Sequence, residues 1–246
     1  MVGTGLNQPY GVVLDSTGDI FIADSVNSRV VELPAGGGAQ TTVGSGFMYP
    51  TGLAVDAAGD LFIADRGKNQ VYEIAAGGGA QTTLAFSGLN TPFGVAVDSN
   101  GNVYVADSVN SRVVELPSGA SAQTTVGSGF TYPLGLAVDS QGNLYVSDTG
   151  VNLVYKIPVG GGAQTTLSIT GLSGPFGLAF DSSGDLFVAD ALSNNVYEIP
   201  AGGGSQTTVA ASGLNLPSSV AVDASGDVYI SDYGNNRVVE IPGSGN

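Results

Sequence analysis

Residues 92–107 read PFGVAVDSNGNVYVAD, and this stretch decides the fold. Two runs of β-branched, aromatic and small apolar residues, Val95–Val97 and Val103–Val105, flank a turn of Asp, Ser, Asn and Gly. That pattern is typical of two short antiparallel strands joined by a tight turn. Both runs are apolar at consecutive positions, so we expect each strand to be covered on both faces. The stretch therefore predicts a hairpin buried between two other sheets.

The hairpin recurs six times, with copies 41 or 42 residues apart. In every copy one aspartate begins the turn and a second follows nine residues later. The first aspartates, called here the turn column, are Asp15, Asp56, Asp98, Asp139, Asp181 and Asp223. The second, called the strand-end column, are Asp24, Asp65, Asp107, Asp148, Asp190 and Asp232. A constant period indicates one supersecondary unit stacked repeatedly.

Two further β-branched runs follow the hairpin in each copy, such as Arg112–Leu116 and Gln123–Val126. Four short strands in about 42 residues is the size of one propeller blade. We therefore predict an all-β protein, a six-bladed β-propeller of four-stranded antiparallel blades. The whole chain, 1–246, is expected to be a single domain. The repeats are expected to begin near Pro9, Pro50, Pro92, Pro133, Pro175 and Pro217.

The composition excludes several classes of function. The chain has no Cys, His or Trp, so it lacks thiolate and imidazole metal ligands and the commonest general base. Its net charge is −15 with only six basic residues, which argues against a nucleic-acid partner. No apolar run is long enough to span a membrane, and the N-terminus shows no signal segment. We expect no membrane partner, no cofactor and a monomer.

The repeat resembles the NHL repeat over essentially the whole chain. The motif reads Gly94-Val95-Ala96-Val97-Asp98, then Val103-Tyr104-Val105-Ala106-Asp107, and later Asn235-Asn236-Arg237-Val238-Val239. It is similar in particular to the sensor propeller of a mycobacterial serine/threonine kinase and to symmetric propellers designed from it. The resemblance implies recognition of a ligand or protein, and a bacterial extracellular or periplasmic parent. The Gly-His and Trp-Asp pairs of WD repeats are absent.

The sixth repeat differs from the others near the chain ends. Aligning the repeats leaves no equivalent of Ala39–Thr41 for that blade. We expect it to have three full strands, with at best a stub from Met1-Val2 as the fourth. The strand at Arg237–Ile241 would then have an unpaired edge, and the two termini would lie close together beside it.

Every carboxylate of the chain occupies a repeat column, which argues against a dedicated catalytic pair. Each turn-column aspartate begins an Asp-x-x-Gly turn, where it either caps backbone N–H groups or contributes to a calcium loop. Capping is favoured because each turn offers about two carboxylates and calcium needs six to eight oxygens. We predict no metal site.

Three strand-end aspartates lie five residues before an arginine. The predicted structural pairs are Asp24 with Arg29, Asp107 with Arg112, and Asp232 with Arg237. The other three blades carry Gln70, Leu153 and Asn195 at the arginine position, so backbone amides or water must satisfy their aspartates. A structural role is favoured over catalysis for the whole column.

The residue after each leading proline should stand at one mouth of the central channel. These six, called here the rim column, are Tyr10, Thr51, Phe93, Leu134, Phe176 and Ser218. The loop between the second and third strands emerges on the same side and adds Arg66, Lys68 and Tyr233. An apolar rim of this kind is either a binding surface or a plug in which the rings pack on one another.

We therefore expect a non-catalytic binding or sensor-type propeller, whose unknown protein or small-molecule ligand binds over the channel on this side. No catalytic residues are predicted. The alternative is a metal-dependent enzyme similar to the lactonases and lyases with six-bladed propellers. The resemblance implies a channel metal held by Asp, Glu and Asn in the lactonases, with His ligands in the lyases, whereas the channel positions of this sequence offer no His and no unpaired Glu.

Overall fold

A computed structural model of the chain describes residues 1–243, and they form a six-bladed propeller. Blade 1 comprises β1 (Pro9–Leu14), β2 (Ile20–Asp24), β3 (Arg29–Leu33) and β4 (Thr41–Val43). Blade 2 comprises β5 (Pro50–Val55), β6 (Leu61–Asp65), β7 (Gln70–Ile74) and β8 (Gln81–Thr83). Blade 3 comprises β9 (Pro92–Val97), β10 (Val103–Asp107), β11 (Arg112–Leu116) and β12 (Thr124–Val126). The predicted fold class is confirmed.

The second half of the chain repeats the pattern. Blade 4 comprises β13 (Pro133–Val138), β14 (Leu144–Asp148), β15 (Leu153–Ile157) and β16 (Thr165–Thr166). Blade 5 comprises β17 (Pro175–Phe180), β18 (Leu186–Asp190), β19 (Asn195–Ile199) and β20 (Thr207–Thr208). Blade 6 comprises β21 (Pro217–Val222), β22 (Val228–Asp232) and β23 (Arg237–Ile241). Two single 3₁₀ turns, Ser108–Asn110 and Tyr233–Asn235, follow β10 and β22.

All strand pairs are antiparallel, and each blade runs in sequence order from the channel outward. The first strand of every blade begins at the leading proline and is irregular just after it, where the register shifts against the second strand. This bulge turns the residue after the proline toward the channel mouth. No helix in residues 1–243 is long and apolar enough to cross a bilayer.

The hydrophobic core lies between the blades. Each of six clusters joins two neighbouring blades, as where Phe21 and Val30 of blade 1 pack against Ile63 and Tyr72 of blade 2. The second strands are almost wholly buried, and Leu61–Asp65 is buried at all five positions. Truncating such a side chain to Ala costs about 2–5 kcal/mol. The predicted coverage of both strand faces is therefore explained by sheet-on-sheet packing around the ring.

Blade 6 has three strands, as expected from the alignment of the repeats. Val2 adds a single bridge to its outer strand, where the Val2 N–H donates to the Val238 carbonyl at 2.9 Å. Val2 and Val238 also share a hydrophobic cluster with Val12 and Ile22 of blade 1. The expected proximity of the two termini involves residues 244–246, which lie outside the described residues.

Candidate functional site

The channel runs through the centre of the ring and encloses about 350 Å³ between the six first strands. One of its mouths lies on the side of the loops that precede the first strands and those between the second and third strands, called here the loop face. The opposite side, with the Asp-x-x-Gly turns, is called the turn face. The first strands approach most closely at the glycine after the rim column. A Cβ on Gly94 or Gly135 would collide with the next blade's carbonyl oxygen, that of Leu134 or Phe176.

Aromatic rings cover the loop-face mouth of the channel. The Tyr10 ring lies 5.2 Å from the Phe93 ring, 6.1 Å from the Phe176 ring and 5.1 Å from the Tyr233 ring, measured between centroids. The edge-to-face geometry of Tyr10 with Phe93 and Tyr233 is the arrangement that aromatic quadrupoles favour. Leu134 completes the apolar part of the rim column and is buried. The rings therefore pack on one another; Phe93 is buried, and Tyr10 and Phe176 are partly exposed.

The two hydroxyl residues of the rim column turn inward. Thr51 is fully buried, and its hydroxyl donates to backbone carbonyl oxygens that include that of Phe93 in the next blade, at 3.1 Å. Ser218 likewise donates to the Tyr10 carbonyl oxygen at 2.9 Å, which joins blade 6 to blade 1. Both side chains therefore connect blades across the ring. A binding role for the rim column rests on its four apolar members.

The position after the strand-end aspartate varies in size in the opposite sense to the rim column. The residue after the strand-end aspartate is Ser25, Ser108 or Thr149 in three of the four blades whose rim residue is large, and Ala191 in the fourth. Each of these hydroxyls donates to the carbonyl oxygen of the next blade's leading proline. In blades 2 and 6, where the rim residue is a hydroxyl, the same position carries Arg66 and Tyr233. These two large side chains reach over the channel mouth.

The structure brings Arg66 and Tyr233 to the aromatic rings as the loop positions suggested. The Arg66 guanidinium carbon lies 5.0 Å from the Phe93 ring centroid and 5.5 Å from that of Tyr49. Lys68 is exposed on the same loop. Burial raises the pKa of Tyr10, and burial and the neighbouring Tyr49 hydroxyl raise the pKa of Tyr233 to about 12. Both hydroxyls are therefore protonated and able to donate at neutral pH.

Three further residues of the mouth were missed by the sequence analysis: Gln8, Tyr49 and Tyr132. Gln8 accepts hydrogen bonds at Oε1 from the Tyr233 hydroxyl at 2.8 Å and the Tyr49 hydroxyl at 3.3 Å. The Tyr132 ring lies 6.5 Å from the Phe93 ring. All three precede a leading proline, and the tyrosines mark blades 2 and 4, so a comparison of that column would have found them.

The predicted aspartate–arginine pairs are present as ion pairs at the blade corners. Arg29 Nε lies 2.7 Å from Asp24 Oδ2, Arg112 Nε 2.7 Å from Asp107 Oδ2, and Arg237 Nε 2.6 Å from Asp232 Oδ2. In each case the aspartate is fully buried and also accepts from a backbone N–H and an asparagine side chain, for example Asn90 and Asn110 around Asp107. The pairs connect each blade to the loop that precedes it.

The other three strand-end aspartates are satisfied mainly by backbone amides, as expected. Asp65 accepts from four backbone N–H groups, and Asp148 from three. Asp190 accepts from the Ser173 N–H, and burial raises its pKa. In blade 5 a tyrosine two residues after the arginine position takes over part of the arginine's role. The Tyr197 hydroxyl donates to the Gly171 carbonyl oxygen, as Arg112 Nη2 does to the Gly88 carbonyl oxygen.

The turn column caps backbone groups in all six blades. Asp56 Oδ1, for example, accepts from the Ala58 and Asp60 N–H groups at 2.9 Å each. Asp60 then accepts from the Ala76 N–H and so joins the two turns of its blade. Residues 1–243 contain no cluster of three or more His, Cys, Asp or Glu residues that could hold a metal ion. The absence of a metal and of a cofactor remains a prediction.

A model of the NHL repeat matches residues 6–33, 47–71, 89–116, 130–156 and 214–241, which is more than half of the chain. The chain belongs to the NHL-repeat family. The NHL match omits blade 5. No curated protein matches the chain in sequence. The likeness to a kinase sensor propeller remains a prediction.

Solved propellers from several classes of protein share the fold of this NHL chain. A streptogramin B lyase matches with a TM-score of 0.74 and 16% identity over 100% of this chain and 86% of its own. A protein assigned as a gluconolactonase matches with a TM-score of 0.81 and 16% identity over 99% of this chain and 91% of its own. A chain of a nidogen/laminin complex matches with a TM-score of 0.79 and 21% identity over 91% of this chain and 89% of its own. At these identities the likeness establishes the fold alone.

Proposed function

We propose that the chain is a non-catalytic binding propeller of the sensor type, which takes a protein or small-molecule ligand on its loop face. The observation that carries this proposal is where apolar side chains are exposed. Eight large apolar side chains are exposed among residues 1–243, and six of them stand on the loop face. Those six are Val26, Met48, Val109, Val151, Leu192 and Leu216. Together with the aromatic mouth they form a surface of the kind that marks binding sites.

The distribution of charge supports the same face. The six carboxylates at the loop face are the buried strand-end aspartates, and five of the six basic residues stand on that side. The loop face therefore carries a side-chain charge of −1, and the remaining −14 of the net −15 lies toward the turn face. An apolar face that is almost uncharged is easily desolvated by a partner, whereas the turn face keeps its carboxylates in water.

The strain of the loop-face backbone is consistent with this proposal. All nine non-glycine residues with positive φ lie there, among them Thr91 at 58° and Leu216 at 53°. A β-branched residue and an exposed leucine are unfavourable in this conformation by about 1–3 kcal/mol each. Such strain is concentrated at functional sites in many proteins.

The structural relatives include both enzymes and a binding complex, so they support either class. The enzyme alternative would need a metal or an acid–base pair in the channel, as the lactonase class implies. The first strands supply only apolar residues, glycines and three hydroxyl residues to the channel lining besides Tyr10. Because these residues do not fit a divalent cation, binding is the better proposal.

A ligand screen by thermal unfolding tests the proposal, since a compound or protein that binds the folded state raises Tm by mass action. A stabilising ligand should lose its effect in Val109→Ser and Leu192→Ser, which remove exposed apolar groups from the loop face. It should keep its effect in Val159→Ser, the matched change of an exposed valine on the turn face. Equal loss in all three variants, or turnover of a lactone or ester abolished by a rim substitution, would contradict the proposal.

A further inference from the structure

Two cations on the loop face have no carboxylate partner among residues 1–243. The ion pairs of residues 1–243 involve Arg29, Arg112, Arg237 and Lys156. The side chains of Arg66 and Lys68 form no ion pair or hydrogen bond with that part of the chain. The nearest aspartate in sequence, Asp65, is fully buried and accepts four backbone N–H groups. In a protein with a net charge of −15, two unpaired cations on one loop are unexpected.

The environment of Arg66 orients its guanidinium without consuming its N–H groups. The group lies against the Phe93 and Tyr49 rings, and the Arg66 backbone N–H donates to the Tyr49 carbonyl oxygen at 3.1 Å. Stacking on aromatic faces holds the guanidinium plane while its donor edges stay available. A lysine would supply only a point charge at this position.

The Tyr10 hydroxyl is a second unused donor at the mouth. The hydroxyls of Tyr49 and Tyr233 both donate to Gln8 Oε1, whereas that of Tyr10 makes no hydrogen bond within residues 1–243. Tyr10 and Arg66 contact the same Phe93 ring. Burial raises the pKa of Tyr10, so the hydroxyl keeps its proton. The mouth thus combines a cation and a neutral O–H donor above an aromatic floor.

The site therefore suits an anion that brings apolar surface with it. A free inorganic anion would be repelled by the net charge and would gain nothing from the rings. A planar carboxylate can receive two parallel N–H bonds from a guanidinium, while an attached apolar group packs on the partly exposed Tyr10 ring. Resting on the proposed loop-face function, we infer that the site recognises a carboxylate carried on an aromatic or apolar group, with Arg66 as its main contact.

The four arginines of the chain offer a direct measurement. The ¹⁵Nε–H signals of Arg29, Arg112 and Arg237 report on locked ion pairs and act as internal controls, and the fourth signal reports on Arg66. The probes are N-acetyl-phenylalanine, its uncharged amide, and N-acetyl-aspartyl-phenylalanine amide, which moves the carboxylate from the terminus to a side chain. The acids should shift the Arg66 signal alone, and the amide should bind at least about tenfold more weakly.

Substitutions test whether the Arg66 guanidinium is responsible for binding the acids. Arg66→Gln should reduce acid binding to the level of the amide, and Arg66→Lys should retain part of it. Lys68→Gln should cause a smaller loss that disappears at high salt. Lys156→Gln, on the turn face, should bind the acids as the wild type does. Unchanged signals of the three paired arginines show that each variant is folded.

The outcomes separate this inference from the proposed function. Loop-face shifts that are equal for acid and amide would overturn carboxylate recognition and leave loop-face binding intact. No shift of Arg66 with any acid up to about 10 mM would also overturn it. The better-binding acid identifies whether the source is a chain terminus or an acidic side chain. Whether a stabilising ligand still raises Tm in Val109→Ser and Leu192→Ser tests the proposed function independently of these probes.

Discussion

The two faces of the propeller use the same residue, aspartate, in opposite ways. At the loop face each strand-end aspartate is fully buried and receives hydrogen bonds from the loop before its blade. At the turn face the turn-column aspartates stay mostly half-buried and cap local amides within four residues. The strand-end aspartates hold loops that are distant in sequence, whereas the turn-column aspartates stabilise the turns in which they themselves lie. Substitutions should therefore cost far more at the loop face than at the turn face.

The largest expected difference is between Asp107→Asn and Asp60→Asn. The first leaves Arg112 without its charge partner and places an amide group among the donors of Asn90 and Asn110. We expect a loss of about 3 kcal/mol in the free energy of unfolding, or about 6–12 °C in Tm. The second should change stability by no more than about 0.5 kcal/mol, because blade 3 already carries Asn102 there with the same backbone contact. Urea denaturation measures both, and equal losses would remove the distinction between the faces.

A second pair of variants compares two serines at one repeat position near the loop face. Ser147 receives a hydrogen bond from the Gly135 N–H and donates to the Phe176 carbonyl oxygen, whereas the hydroxyl of the fully buried Ser231 has no hydrogen-bond partner within residues 1–243. The corresponding carbonyl oxygen, that of Tyr10, already accepts from Ser218. We expect Ser147→Ala to lose about 1–2 kcal/mol and Ser231→Ala to gain about 1 kcal/mol. A Tm that changes in the same direction for both variants would contradict this expectation.

A smaller effect is expected at the outer edge of the ring, away from both mouths. Gln123 clamps the Ser87 backbone of the preceding blade, with Oε1 accepting its N–H and Nε2 donating to its carbonyl oxygen, both at 2.9 Å. Because the clamp is exposed, Gln123→Ala should cost about 1 kcal/mol. Gln141→Ala removes a turn-face glutamine with one contact, to Asn143, and should be close to neutral. Urea midpoints compare the two, and equal values would show that the clamp contributes nothing.

The smallest effect concerns alkaline pH and two tyrosines of blade 6. The pKa of Tyr229 is raised to about 12 by burial and then by Glu240, Asp223 and Asp227, and that of Tyr233 to about 12 by burial and Tyr49. Since both folded pKa values exceed the unfolded one, the corresponding stability is complete below about pH 10 and is lost as the pH rises through about 12. Tyr229→Phe should therefore move alkaline unfolding to higher pH.

The salt dependence distinguishes the faces in this experiment. The gain from Tyr229→Phe should shrink at high salt, because the turn-face carboxylates that oppose ionisation of Tyr229 are then screened. The gain from Tyr233→Phe should not shrink, because its main causes are burial and a neutral neighbour. Circular dichroism followed along a pH titration at two salt concentrations provides the comparison. A gain from Tyr229→Phe that is independent of salt would exclude a role for the turn-face charges.

Much of the architecture could be predicted because every blade contains the same local sequence pattern. Continuous apolar runs such as Val103–Val105, the Asp-x-x-Gly turn and the fixed period specify strands, hairpins and their number. The shortened sixth blade followed from counting residues against Ala39–Thr41, and the structure confirms three strands with a bridge at Val2. The arginine partners of Asp24, Asp107 and Asp232 were predictable because they lie only five residues away.

The mouth of the channel could be located but not described in this way. The sequence placed Tyr10, Phe93 and Phe176 on one rim, yet could not show that their rings meet across the channel. It treated Thr51 as another rim residue, although its hydroxyl joins two blades. Gln8 escaped notice because its partners, Tyr49 and Tyr233, lie 41 and 225 residues away. Gln8 and Tyr49 occupy the same repeat position in neighbouring blades, but nothing within either repeat specifies that their side chains meet.

The sequence by itself determined the repeat, the strands, the buried second strand of each blade and the absence of thiols and imidazoles. These depend on patterns within about 42 residues, which local sterics and burial translate directly into structure. The tertiary structure decided which side chains share the loop face, which aspartates are buried, and that the Arg66 guanidinium lies over Phe93 with no ion-pair partner among residues 1–243. The physical reason is ring closure: it brings together residues from six blades whose mutual distances no single repeat specifies.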